Sequence, residues 1–425
     1  MGRHDGGPAS RSRASVDAGI DHNSTSHQFE EGRVMNHLRN LALSLPIALC
    51  VLLPISADAK QPYNELQAMA AAQAAGFDIQ ASIRRPAASS TVLQQAAQSF
   101  FAAYQQATVN ASATTALLNL LTDKVEMTFS GQPGEMLPFA GTFVGHDGVA
   151  NVMKAIRDQS TTESFQVRET LTTTYAVDFS LLPNDPLIAQ NNRVAAILQE
   201  VRTANQPARR SYRLDVVAWL TVESNGKISN VHFFYDSYVP SQAFVGAPRL
   251  IVNPDIYPVI TPLRFPDADP VTTLGTVMDF FGRFVADTAE PFDCIFNNIA
   301  QVMDPNIAVS FAGDPTLLPF ADNVIRQGIP AAVSTFCDQE SHSRPRTVDI
   351  EEVAVGADRV IANTFEQRTA VETNRGYDVS VQIMVTARSS LITSVKGLFD
   401  SVITTTAFHG VDPFYSGPYI FPVQR

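Results

Sequence analysis

Arg193-Val194 opens a stretch that runs through Glu200-Val201-Arg202-Thr203-Ala204 and Tyr212, then closes on Tyr235-Asp236-Ser237 and Ala243-Phe244-Val245-Gly246. The same order returns from Arg359-Val360, through Glu366-Gln367-Arg368-Thr369-Ala370 and Tyr377, to Phe399-Asp400-Ser401 and Ala407-Phe408-His409-Gly410. So many residue types kept in register over such a span mark an internal duplication. A statement about one copy can therefore be tested on the other.

Upstream of each copy the same local signals recur. Leu93, Ala96, Ala97, Phe100, Phe101 and Tyr104 fall on one helical face, and Val277, Phe280, Phe281 and Phe284 do the same later. A second helical stretch covers 114–121. Strands are expected at 125–129 and 307–311, each followed by a Gly- and Pro-containing turn and by Leu-Pro-Phe-Ala, at Leu137–Ala140 and Leu318–Ala321. Gly145-His146-Asp147-Gly148 opens a helix over 149–157. Longer strands then follow near 165–177, 193–204, 211–223 and 228–236, and again near 347–355, 359–370, 377–388 and 391–400. Asn225-Gly226 is a hairpin turn signal. An insertion at 178–192 has no counterpart in the second copy. Each half thus reads as helices followed by a run of antiparallel strands, an α+β class with helices packed on one face of a curved sheet.

The remaining segments are of other kinds. Residues 1–34 are polar and rich in Gly, Ser and charge, the composition of a disordered extension. Met35 begins a positive start, an apolar run at 41–55 and an Ala57-Asp58-Ala59 cleavage pattern, the layout of a secretory signal peptide over 35–59. The apolar run is short for a membrane span. Translation beginning at Met35 would make residues 1–34 a mis-called start. Residues 60–90 read as an Ala- and Gln-rich tether, 248–270 as a Pro-rich, extended connector, and 413–425 as an aromatic, Pro-rich tail. The expected domains are 91–247 and 271–412. Cleavage would leave Cys294 and Cys337 as the remaining cysteines in an oxidising compartment, a candidate disulfide. The expected location is periplasmic or secreted, with no membrane contact after cleavage.

The chain has 425 residues, 45% of them hydrophobic and 17% charged, with a net charge of −12, enough for two or three packed domains. The acidic balance argues against nucleic acid, whose binding needs clustered Lys and Arg. No phosphate-binding loop, dinucleotide fingerprint, paired-cysteine zinc motif or His-Glu-x-x-His occurs, so neither a cofactor nor a metal is expected.

Phe-x-Gly-x-Pro with Leu-Pro-Phe-Ala, Gly-His-Asp-Gly-Val, Glu-x-Arg-Thr-Ala and Gly-Lys-Ile with Phe-Tyr-Asp-Ser-Tyr resemble the nuclear transport factor 2-like superfamily, in its SnoaL-like branch. The resemblance covers both halves. It implies two cone-shaped domains, each a sheet wrapped around helices and an apolar pocket, paired through their outer sheet faces as an intramolecular pseudo-dimer. Trp219, with Val217 and Thr221, would lie on that outer face, and Val381, Ile383 and Val385 would face it from the second half.

The resemblance also implies pocket positions. In the first half these are Tyr104, Thr128, Arg202, Ala218, Leu220, Phe233 and Tyr235. In the second they are Phe284, Ser310, Arg368, Gln382, Met384 and Phe399. The catalytic residues of two enzyme groups in the superfamily do not transfer. Ketosteroid isomerases carry a base Asp on the first strand, where this chain has Thr128 and Ser310. Limonene epoxide hydrolases carry Arg-x-Asp, where this chain has Arg202-x-Ala204 and Arg368-x-Ala370. Asp236 and Asp400 have two readings: a carboxylate at the pocket mouth, or a helix N-cap, which Asp-Ser at a strand end favours. Glu200 with Arg202, and Glu366 with Arg368, share a strand face by period two; each pair is either a substrate-holding arginine or an ion pair on the sheet. His232, which aligns with Lys396, is expected to have a plain surface role. The leading functional reading is an exported protein with a small-molecule pocket, ligand-binding or non-catalytic. The alternative is an isomerase, cyclase or hydrolase acting on an apolar, steroid-, polyketide- or terpene-like substrate.

Overall fold

The computed structural model describes residues 91–131, 137, 139–177, 187–205, 209–245, 269–288, 293–321 and 325–410, all within one compact unit, Gln61–Arg425. The polar extension, signal peptide, tether, most of the Pro-rich connector and the tail expected from the sequence lie outside the described residues.

The first half begins with helix α1 (Thr91–Val109), which buries Leu93, Ala97, Phe100, Phe101 and Tyr104. A short helix α2 (Thr114–Asn119), strand β1 (Leu121–Phe129), strand β2 (Gly141–Val144) and helix α3 (Gly145–Gln159) follow. The long strands are β3 (Ser160–Leu171), β6 (Arg193–Ala204), β7 (Ser211–Val222) and β8 (Ile228–Phe234), and α4 (Tyr238–Val245) closes the half. Between β3 and β6 lie β4 (Thr173–Val177) and β5 (Leu187–Gln190). The second half repeats the plan with α5 (Pro270–Thr288), α6 (Asn297–Ala300), β9 (Met303–Phe311), β10 (Arg326–Gln327) and α7 (Ile329–His342). Strands β11 (Ser343–Val355), β12 (Arg359–Ala370), β13 (Arg375–Arg388) and β14 (Leu391–Phe399) and helix α8 (Ser401–His409) complete it.

The sheet orders are β2-β1-β8-β7-β6-β3 and β10-β9-β14-β13-β12-β11-β4-β5. The first six strands of the second sheet reproduce the first sheet, including a parallel pair at β1–β8 and at β9–β14. The α+β class with two tandem curved sheets is therefore as expected. One feature departs from the sequence reading. The strand expected near 165–177 is two strands: β3 stays in its own sheet, while β4 pairs antiparallel with β11 of the second half, Tyr175 opposite Val353. The insertion supplies β5, which pairs with β4. The first half thus donates a hairpin to the edge of the second half's sheet.

The outer sheet faces meet. Trp219 is fully buried there, and its Nε1 donates to Gln382 Oε1 at 2.8 Å. Arg193 lies over the Trp219 ring, 5.6 Å from its centroid. The contacts around it are reciprocal, as expected of a face that pairs with its own duplicate. Arg193, which opens the first copy, donates from Nε to Glu352 Oε2 at 2.9 Å, and Arg359, which opens the second, donates from Nη1 to Glu169 Oε2 at 2.8 Å. Asp236 Oδ1 accepts from Ser401 N and Oγ, while Asp400 Oδ1 accepts from Ser237 Oγ. The surface role expected for His232 does not hold, and its counterpart Lys396 also reaches the seam. His232 stacks on Phe234 with centroids 3.6 Å apart, and Lys396 Nζ donates to Asp215 Oδ2 of the other half at 2.5 Å. In the second half Cys294 and Cys337 form a disulfide, with Cα atoms 5.3 Å apart, inside the range a disulfide spans.

Candidate functional site

Each half encloses a cavity between its long helix and the concave face of its sheet, and both cavities share a polar floor. In the first half, Arg202 and Glu200 project from β6 on one face, because strand side chains alternate. Arg202 Nε donates to Glu200 Oε2 at 2.6 Å, Nη2 to Tyr104 Oη at 3.4 Å and Nη1 to Ser160 Oγ at 3.4 Å. Both members of the ion pair are buried. Burial lowers the guanidinium, but the charge and hydrogen bond of Glu200, with Tyr104 and Tyr212 beside it, together hold Arg202 above its ordinary value. Burial raises the Tyr104 phenol and, to about 12, that of Tyr212. Neither tyrosine is thereby prepared to act as a base.

In the second half Arg368 occupies the matching place and faces two carboxylates. Nη1 donates to Glu366 Oε2 at 2.6 Å and Nη2 to Glu340 Oε1 at 2.7 Å, while Nε donates to Ser343 Oγ at 2.7 Å. Tyr377, hydrogen-bonded to Ser343, is pushed up to about 12 by burial. Ser343 and Ser160 stand at the ends of equivalent helices, α7 and α3.

The two cavities differ in size for an identifiable reason. In the first, the Phe233 ring lies between Tyr104 and Phe129, with centroids 5.0 and 4.8 Å away. About 20 Å³ remains, close to the room a single water needs. On the second sheet the residue opposite Phe311 is Gly397, in the place that Phe233 takes opposite Phe129. The second half has one ring fewer, and the Phe311 ring itself packs over Gly397, where a Cβ would collide with it; about 70 Å³ stays open among Phe280, Phe281, Phe284, Phe311 and Phe336, with Val381, Ile383 and Val395 on the sheet side.

The residues expected to line the pockets divide accordingly. Tyr104, Arg202, Phe233 and Tyr235 surround the first cavity, and Phe284 and Arg368 the second. Ala218 and Leu220 belong to the first half's core without bounding its cavity. Thr128 and Ser310 do not point inward; their neighbours Phe129 and Phe311 do, and Thr128 instead meets Thr142 across the β1–β2 pair, Oγ1 to Oγ1 at 3.0 Å. Gln382 and Met384 are on the opposite face of β13 from the cavity, where Gln382 meets Trp219. Val381 and Ile383, expected on the outer face, line the cavity. The cause is a turn. The β13–β14 hairpin closes through Ser389-Ser390, both at positive φ, between the paired Arg388 and Leu391. The β7–β8 hairpin closes through Ser224-Asn225-Gly226, one residue longer, inside the Glu223–Lys227 hydrogen bond. Counting back from the turn therefore slips by one residue, and one residue exchanges the faces of a strand. Phe399 is buried against Phe320, away from the cavity lining.

Asp236 and Asp400 sit away from the cavities as caps. Asp400 Oδ1 accepts from Val402 N, and Asp236 Oδ1 from Tyr238 N, each at 3.1 Å, in addition to the serine of the opposite half. Asp236 Oδ2 is buried without a hydrogen-bond partner among the described residues. Burial, with Asp400 adding to it, raises Asp236 to about 7 despite the hydrogen bonds from Ser401 and Tyr238. Sequence reasoning missed Glu340, Ser343 and Phe336, because a helix register alone does not show which residue reaches a cavity. Among the described residues no group of three His, Cys, Asp or Glu side chains is placed to hold a metal.

No family model matches the chain, and no curated protein does. Solved structures do. A candidate isomerase from Rhodopseudomonas palustris is 20% identical over 32% of this chain and 97% of its own, with a TM-score of 0.29. A nuclear transport factor 2-like protein from Burkholderia xenovorans is 19% identical over 37% of this chain and 98% of its own, with a TM-score of 0.27. A Mycobacterium tuberculosis protein, in complex with estradiol-17beta-hemisuccinate, is 18% identical over 35% of this chain and 98% of its own, with a TM-score of 0.25.

Proposed function

From a chain that carries the nuclear transport factor 2-like fold twice, we propose a small-molecule binding protein whose working site is the cavity of the second half. The observation that carries this reading is the exchange of Phe233 for Gly397. One copy of the duplicated fold carries an aromatic ring at this position; the other carries a glycine, with the Phe311 ring packed over it, and keeps the larger cavity. An apolar cavity with a few convergent polar groups is the usual form of a small-ligand site. Binding without turnover is favoured because the carboxylates that line both cavities are ion-paired to arginine, whereas proton abstraction needs a base directed at substrate.

Indole, a single apolar fused ring with one donor, is a suitable probe for the site. Calorimetry is expected to detect its binding to the native protein. Val395→Phe, which fills the sheet side of the cavity, should weaken that binding by about tenfold or more, at a stability change of roughly 1–3 kcal/mol at most. Equal binding of indole by this variant would move the site elsewhere.

The same proposal places the protein outside the cytoplasm. The charged start, the apolar run and Ala57-x-Ala59 support export, and a Cys294–Cys337 disulfide suits an oxidising compartment. Protein recovered from the producing cell is expected to begin at Lys60; an N-terminal sequence that retains residues 36–59 would reject the assignment.

A further inference from the structure

We infer that the second-half cavity takes an uncharged single-ring arene, held by the protein's own rings rather than by its polar floor; this rests on the reading of that cavity as the ligand site. The two copies differ in how they use their rings. Phe100-Phe101 with Tyr104 on α1 return as Phe280-Phe281 with Phe284 on α5, and Phe129 returns as Phe311. In the first half these side chains hold a ring of the protein itself. Phe233 stacks on Phe100, Tyr104 and Phe129, with centroids 6.4, 5.0 and 4.8 Å away and planes within 29° of parallel. In the second half Gly397 supplies no such ring. Phe311 covers the glycine, and the open space is bordered by Phe280, Phe281, Phe284, Phe311 and Phe336.

The geometry of these five rings favours a further ring. Phe336 meets Phe284 and Phe311 nearly edge to face, at interplanar angles of 76° and 81°, and is tilted by 54° to Phe280. The wall therefore mixes electropositive ring edges with electronegative ring faces. A flat guest with an edge and a face of its own complements both, whereas a saturated guest complements neither. Phe336 has no aromatic counterpart: counting back from Ser343 and Ser160, its place in the first half is taken by Met153. The half that lacks a ring on β14 thus carries an additional one on α7. The floor offers a polar guest little. Arg368 donates to Glu366, Glu340 and Ser343, and Thr364 Oγ1 donates to Val381 O at 3.1 Å. These groups bond within the protein, so a charged guest would have to shed water and break one such bond to form another. Gln339 also lines the cavity but is half-buried, and its amide can stay hydrated. Where Tyr104 brings a hydroxyl to Arg202, the second half has Phe284, which removes one more polar atom from the wall.

Four probes separate the possibilities: toluene, its saturated analogue methylcyclohexane, and the same aromatic ring bearing a cation or an anion in benzylamine and benzoate. Calorimetry on the intact protein at neutral pH is expected to rank toluene above methylcyclohexane by about threefold or more, and above both ions by about tenfold or more. Burial of apolar area alone would favour the bulkier methylcyclohexane, so the first ranking reports ring contacts. Phe336→Leu, which keeps the wall apolar but removes a ring, is expected to abolish the preference for toluene over methylcyclohexane. If that variant fails to fold, the ranking on the unmodified protein decides alone. Methylcyclohexane or either ion binding as tightly as toluene would overturn the inference while leaving the cavity as a binding site. Failure of all four to bind would overturn the inference, and failure of indole as well would overturn the binding-site reading with it.

Discussion

Replacing Trp219 with alanine should cost the folded protein about 3–5 kcal/mol, the range for removing a fully buried large aromatic. Trp219 is the largest fully buried side chain of the described residues, and it belongs to the core shared by both halves, among Val217, Phe234 and residues of the second sheet. Its loss would open a cavity at the seam and leave Gln382 Oε1 without its indole donor, an added cost for a buried acceptor. Trp219→Phe should restore most of the packing but not the hydrogen bond, and so fall between. Urea denaturation followed by circular dichroism measures the difference. A loss below about 1 kcal/mol for Trp219→Ala would mean that the seam contributes little to stability.

The second large effect is a dependence on pH. Asp236 has a value of about 7 in the folded chain against 3.8 for the ordinary side chain. Between these values the folded protein keeps a proton that the unfolded chain has released. The stability linked to this group is therefore fully present below about pH 4 and is lost as pH rises through 7, by on the order of 4 kcal/mol. His232 opposes part of this trend. Burial and Arg193 lower it from 6.5 to about 4, so its own contribution is present above pH 6.5 and is lost as pH falls through 4. The two are separated by Asp236→Asn, which keeps an acceptor at Oδ1 for Ser401 and Tyr238 but cannot ionise. The variant is expected to lose the decline between pH 4 and 7 and to exceed the wild type at pH 8. Parallel stability–pH curves for the two proteins would show that Asp236 does not titrate in this window.

Which parts of this were legible in the sequence follows from what each signal encodes. The duplication was visible because Arg193 and Arg359 and the Asp-Ser pairs return in order, and those residues turn out to hold the seam from both sides. The inward face of β7 follows from alternation together with a correct anchor at Ala218. The inward face of β13 does not, because Ser389-Ser390 carries no glycine to announce a two-residue turn and both serines take positive φ, a conformation that few non-glycine residues adopt. The exchange of β4 into the neighbouring sheet was hidden for a different reason. A run such as Thr173–Val177 shows strand character, but alternation says nothing about which edge receives it. The size of the cavities lay in a single comparison, Phe233 against Gly397, whose meaning depends on the register of β8 and β14.

The donated hairpin also sets an order of events during synthesis. Residues 173–190 leave the ribosome well before Ser343–Val355, the strand they must pair with. At about 5–20 residues per second the wait is on the order of ten seconds. Through that interval the hairpin lacks its final neighbour, and the Trp219 face has nothing to cover it. A nascent first half in this condition offers an open edge and an apolar surface to any other chain at the same stage, so crowding on one message favours exchange of hairpins between molecules. The linear order of the gene thus makes the first copy the exposed partner and the second the one that completes it.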